Sequence, residues 1–199
     1  MTVLHRLCLL FITTALLAAC STSPQKPPAT ASDWLSHQAE ISAWDSWDVS
    51  GKIALRTPQQ AESASIEWQQ RAELSDLRLS GPLGMAATRV SSDGQRLTIT
   101  RGDAVEEIDA SSPAAVQAAT GWPLPVRQLP YWLRGIPAPG ETLNESVSDG
   151  LLRQLSQDGW QVDYLDYGDF AGLTLPTRIR VEGHDLSAKL IIRQWRDTR

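Results

Sequence analysis

Residues 47–56 read WDVSGKIALR, and their order decides the fold class. Trp47, Val49, Gly51, Ile53 and Leu55 alternate with Asp48, Ser50, Lys52, Ala54 and Arg56. A period of two is what a strand with one covered face requires, because successive side chains point to opposite sides of the pleat. The same period recurs downstream. Ala64, Ile66 and Trp68 alternate with Ser65, Glu67 and Gln69. Leu77 and Leu79 follow, then Thr88 and Val90, then Leu97 and Ile99 beyond the Asp93-Gly94 turn.

The pattern changes in the middle of the chain. Ser112 to Ala119 is alanine-rich, with Pro113 in the first turn and Gly121 past the end, which predicts a helix. Gly121 to Pro125 (GWPLP) carries two prolines and reads as a loop. Leu129, Trp132 and Leu133 then fall at helical spacing before Gly135, with Pro130 confining that helix to its later turns. Pro137 to Gly140 is a further break. Strand alternation returns in Leu151–Leu155, in Trp160, Val162 and Tyr164, and in Ile179 and Val181. After the turn at Glu182–Asp185 it resumes in Leu186, Ala188, Leu190 and Ile192. The expectation is a mainly β fold. A meandering antiparallel sheet curves into an open, incomplete barrel, and a helical insertion covers its mouth.

Outward from the strands, Ser32-Asp33 offers an N-cap, and Trp34, Leu35, Ile41 and Trp44 suit one helix face ending near Asp45. Before that, Ser21 to Ala31 (STSPQKPPATA) has no large apolar residue and reads as a linker. If flexible it spans about 20 Å root-mean-square. Leu7 to Ala18 is an apolar run too short to cross a bilayer, after a weakly basic start at Met1–Arg6. It ends in Leu17-Ala18-Ala19-Cys20, which is similar to the lipobox cut by the lipoprotein signal peptidase. Residues 1–19 are thus expected to be a removed leader, 20–31 a linker lipidated at Cys20, and 32–199 one folded domain. Ser21 in place of an aspartate implies delivery to the outer membrane under the general lipoprotein sorting pattern.

Composition excludes several function classes. Cys8 leaves with the leader, so the mature domain is stabilised without a disulfide. The net charge is −5, near −6 once Arg6 is gone, and there is no basic run, so no nucleic-acid partner is expected. His5, His37 and His184 form no metal-binding pair, and neither a phosphate loop nor a GxSxG occurs. No catalytic residue, metal or cofactor is expected, and the chain does not read as an enzyme.

Tryptophan stands out, with eight residues, all after the leader. They either fill the core or line an apolar cavity with the indole N–H toward a polar rim. Gly81-Pro82-Leu83-Gly84-Met85 is a loop between strands, which puts an apolar tip near a hairpin end.

The chain resembles the family of outer-membrane lipoprotein receptors named LolB. The resemblance rests on Gly51-Lys-Ile-Ala54, Trp68-Gln69-Gln70, Ser80-Gly-Pro-Leu-Gly84 and Gly121-Trp-Pro-Leu-Pro125. It continues through Tyr131-Trp-Leu-Arg-Gly-Ile-Pro137, Gln157-Asp-Gly-Trp160 with Val162 and Tyr164, and Leu175-Pro176. It implies an open antiparallel barrel with an α-helical lid over an apolar cavity. It also implies a receptor that takes lipoproteins from a LolA-like periplasmic carrier and inserts them into the inner leaflet of the outer membrane, without nucleotide. Trp68, Trp132 and Trp160 match tryptophans of the acyl-chain cavity or its lid. Leu83 matches a protruding leucine used in membrane delivery, and Met85 enlarges that tip. A monomer facing the periplasm is expected. The competing reading is a lipid-anchored structural adaptor or a periplasmic inhibitor, which would have a solid core in place of a cavity.

Overall fold

The computed structural model describes residues 31–81 and 87–198. The leader, Cys20, most of the linker and the loop residues Leu83 and Met85 lie outside the described residues. The first element is helix α1 (Ala31–Ser42). Strands β1 (Ser46–Arg56), β2 (Ala61–Arg71), β3 (Leu74–Ser80), β4 (Thr88–Ser92), β5 (Arg96–Arg101) and β6 (Ala104–Asp109) follow. Two helices come next, α2 (Pro113–Thr120) and α3 (Leu129–Leu133). The chain closes with β7 (Thr142–Ser148), β8 (Leu151–Gln157), β9 (Trp160–Phe170), β10 (Leu173–Gly183) and β11 (Leu186–Asp197).

The 11 strands form one antiparallel sheet in the order β6-β5-β4-β3-β2-β1-β11-β10-β9-β8-β7. Every pair of consecutive strands is hydrogen-bonded except β6 and β7, and the first strand pairs with the last. The sheet is therefore an open, incomplete barrel whose two edges are β6 and β7. Residues 110–141, which carry α2 and α3, are the connection between those edges. Strand direction makes this connection leave β6 at the end where β1 starts and enter β7 at the end where β1 finishes.

Residues directly opposite in an antiparallel pair share a face. Val49 lies opposite both Trp68 and Trp195, Ile53 opposite Leu190, and Leu55 opposite Ala188. Trp68 faces Leu77, Ile66 faces Leu79, Ile179 faces Leu190 and Tyr164, and Val181 faces Val162. The apolar half of each alternating strand thus lines one concave surface. The outer surface is polar, with ion pairs such as Arg71–Asp48 at 2.8 Å.

Gly51 has a specific task in this curvature. The register of β1 against β11 shifts between Ser50 and Gly51. A Cβ at position 51 would lie 2.2 Å from the Ile191 carbonyl oxygen. Only a residue without a side chain lets the two strands approach this closely.

The two ends of the concave surface differ. At the end where β1 starts, Trp47 packs edge-on against Trp195 with ring centroids 5.3 Å apart, and Trp44 lies 5.6 Å from Trp195. These rings plug that end. Along β1 burial falls from complete at Trp47 to partial at Ile53 and Leu55, so the other end is open. Leu77 and Leu79 are likewise half-buried. Gly81 and Ala87, which flank the undescribed loop residues, belong to the hairpin that turns at this open end.

A second, smaller core joins α2 to the β4–β6 edge through Leu97, Ile99, Ile108 and Val116. Ser112 accepts a hydrogen bond from Ala115 N at 3.2 Å, and Gly121 ends the helix at φ 77°. In α1, Trp34 and Ile41 are buried while Leu35 is 63% exposed, against the expectation that all lie on one face. Trp34, His37 and Ile41 follow i, i+3, i+7 spacing, and Leu35 is rotated about 100° from Trp34.

Candidate functional site

An apolar cavity lies between the concave surface and α3. Ile53, Leu55, Ile66, Trp68, Leu77 and Leu79 form one wall, and Trp160, Ile179, Val181, Leu186, Ala188 and Leu190 form the other. Leu124, Pro125, Leu129, Trp132 and Leu133 cover it. No charged side chain lines it. Its free volume is about 70 Å³, well below the roughly 300–1,000 Å³ of an ordinary ligand site. In this position the cover leaves little free space beneath it.

The cover is attached unevenly. At the C-terminal side of α3, Trp132 Nε1 donates to Gln157 Oε1 at 2.9 Å. Gln157 is fully buried, and its amide also accepts from Ala138 N at 3.0 Å and donates to Ala138 O at 2.8 Å. Burial pushes the Tyr164 phenol well above its ordinary value, and it stays neutral as it donates to Trp132 O at 2.9 Å. Arg134 donates to the Ile41 carbonyl at 3.0 Å and to the Trp44 carbonyl, at the C-terminal end of α1. A cation there meets the negative end of the helix dipole. Burial draws the Arg134 pKa below its ordinary value, yet the guanidinium remains charged.

The N-terminal side of the cover is held differently. Residues 121–128 bond mainly to themselves, with Leu124 N to Trp122 O at 2.8 Å and Gln128 N to Pro125 O at 3.0 Å. Their side-chain tie to the sheet is exposed, Gln128 Nε2 to Asp158 at 2.8 Å. Pro123 and Pro125 remove two backbone donors from this stretch. The cover is thus held by buried hydrogen bonds at Trp132–Ala138 and by apolar packing of Trp122, Leu124 and Val126 at its other side.

The three tryptophans singled out in the sequence come together here. Trp132 and Trp160 lie 6.4 Å apart, and Trp68 stands in the facing wall. Trp160 needs a glycine beneath it, since a Cβ at Gly183 would meet its ring at 2.9 Å. The two sequence-based roles for tryptophan are both filled, by different residues. Trp44, Trp47 and Trp195 are core, and Trp68, Trp132 and Trp160 are cavity wall. Gln70, Arg134 and Gln157 stand in the motifs that carry the resemblance, but the sequence reading gives them no role of their own. A glutamine or arginine carries no sign in the sequence that it will be buried, because burial here depends on carbonyls brought from distant segments. Among the described residues, no group of three or more His, Cys, Asp and Glu is placed to hold a metal.

Residues 45–195 match the family described as Outer membrane lipoprotein LolB. An Outer-membrane lipoprotein LolB from Stutzerimonas stutzeri is 42% identical over 194 residues, covering 90% of each chain. One from Pseudomonas putida is 37% identical over 202 residues, covering 96% of this chain and 95% of the relative. In fold, the chain is similar to the crystal structure of a LolA superfamily protein from Nitrosomonas europaea. The TM-score is 0.54 at 13% identity, over 86% of this chain and 94% of that one.

Proposed function

The chain belongs to the LolB family of outer-membrane lipoproteins, and from that membership we propose a route for its cargo. It takes lipoproteins from a LolA-like soluble carrier in the periplasm, shelters their acyl chains under α3, and releases them into the inner leaflet of the outer membrane. One observation carries this reading: a cavity lined wholly by apolar side chains lies under a helical cover. An adaptor or inhibitor has no need of such a cavity.

Each acyl CH₂ kept from water is worth about 0.8 kcal/mol, so a lipoprotein cannot cross the periplasm free. A receptor must shield the chains yet hold them less well than a bilayer does. Direction then follows from differential affinity, without nucleotide. A cavity with this little free volume suits this, because widening it for an acyl chain costs free energy that a bilayer does not require.

In this reading Cys20 carries the lipid that tethers the domain, and residues 20–31 let it turn at the surface. No helix of the described residues is long and apolar enough to cross a membrane. The chain acts as a monomer and catalyses no reaction. Leu83 and Met85, which fall between β3 and β4 in the sequence, enter the leaflet as the cargo transfers.

The test is transfer of a fluorescent lipoprotein from a LolA-like carrier to the full chain, with no nucleotide present. The labelled cargo is expected to move to the chain, and then to vesicles. A Cys20→Ala form should accept cargo equally but lose directed delivery to the membrane that holds the wild type. Cargo that stays on the carrier would overturn the proposal.

A further inference from the structure

Helix α3 separates two different spaces. Leu129, Trp132 and Leu133 line the apolar cavity, whereas Pro130, Tyr131 and Arg134 line a polar cleft of about 490 Å³. The cleft runs between residues 126–134 and the hairpin ends at Ala72–Ser75 and Ser92–Gly94. Unlike the cavity, it already has the volume of a ligand site.

The two spaces meet at Trp68. Its ring stands in the cavity wall, and its Nε1 donates to Gln70 Oε1 at 3.1 Å in the wall of the cleft. Gln70 is only 5% exposed, and its Nε2 is held by Ala72 O at 2.6 Å, so this junction is rigid. Residues two apart on a strand share a face and are about 7 Å apart. A ligand that changes from hydrocarbon to polar within a few bonds therefore finds both environments next to each other.

The charges in the cleft select among polar groups. Arg127 and Arg134 stand with Asp45, Glu73 and Asp158, so neither sign dominates and an isolated phosphate gains little. Among the described residues, neither Arg127 nor Glu73 takes part in an ion pair. A cleft that offers both donors and acceptors matches a peptide backbone, which presents one N–H and one C=O per residue.

We propose that the cleft binds the first residues of the cargo's polypeptide, those that follow its lipidated cysteine, while the acyl chains occupy the cavity. This rests on the lipoprotein-receptor reading above. The site recognises main chain, so it accepts many cargo sequences.

Three probes test it by titration against the full chain: palmitate, a dipalmitoylglyceryl cysteine amide, and the same lipidated cysteine extended by a short serine-glycine peptide. The extended probe is expected to bind about tenfold more tightly than the amide, the scale of one or two hydrogen bonds. A Glu73→Ala, Arg127→Ala double variant should lose that advantage and bind palmitate as before. Equal affinity for the two lipidated cysteines, or an advantage that survives in the double variant, would overturn the proposal. If none of the probes binds, the receptor reading itself fails and the proposal falls with it.

Discussion

The indole of Trp132 and the amide of Gln157 form the latch of the lid, with Trp132 Nε1 donating to Gln157 Oε1 at 2.9 Å in a fully buried setting. The same amide satisfies both backbone groups of Ala138. One side chain on β8 thus fixes the end of α3 and the turn that follows it.

Replacing Gln157 with leucine keeps approximate volume but leaves the Trp132 N–H and the Ala138 N–H and C=O without partners. A buried polar group left unpaired costs about 1–3 kcal/mol, and relaxation of the lid toward water recovers part of the total. We expect a net loss of about 2 kcal/mol or more in urea unfolding. Faster hydrogen exchange at Ala138 should accompany it. An unchanged exchange rate there would show that the latch does not hold the lid.

Gly51→Ala tests the close approach of β1 and β11. The added Cβ would meet the Ile191 carbonyl, which is backbone and cannot rotate away. Overpacking of this kind costs about 1–3 kcal/mol. The urea midpoint should fall with an unchanged slope. A midpoint equal to wild type would mean that the β1–β11 seam shifts freely.

His37 predicts how stability responds to acid. Burial holds its pKa below the ordinary 6.5, against an opposing pull from Glu40, and Nε2 is buried without a partner. The unfolded chain therefore binds this proton more readily than the folded one. The contribution is complete above about pH 6.5 and is lost as pH falls from there through the folded-state value. Thermal midpoints of wild type should drop between pH 7 and 5 more steeply than those of His37→Gln. Parallel curves would remove His37 as the cause, since His184 is present in both.

Leu83→Glu bears on delivery. Acceptance of cargo from the carrier should be unchanged, because the proposal assigns acceptance to the cavity and only delivery to this loop. Release into vesicles should fall by about tenfold or more, since a carboxylate in the leaflet costs well over 1.4 kcal/mol. Normal delivery by this variant would remove the role assigned to the loop.

How far the chain is legible follows from which strands are covered. Strands β1, β2, β9, β10 and β11 show alternation because one face of each is buried and the other is wet. The edge strands do not. In β6 only Ile108 is buried, and β7 has Leu143 73% exposed and no buried residue. With neither face of β7 covered, nothing selects a period of two, so both edges escaped a pattern-based reading. The latch escaped for another reason: Trp132 and Gln157 are 25 residues apart, and their contact depends on the sheet curving back.

By itself the sequence determined the alternating faces and the position of the helical insertion, because each is written in residues a few positions apart. Tertiary structure decided what each tryptophan does. Trp47 and Trp68 lie on the same apolar face, opposite positions one step removed from each other across β1 and β2, yet one plugs the closed end and the other walls the cavity. The difference arises where the first strand pairs with the last and the helices cross from β6 to β7. Those two long-range events set which end of the concave surface is filled and which is open.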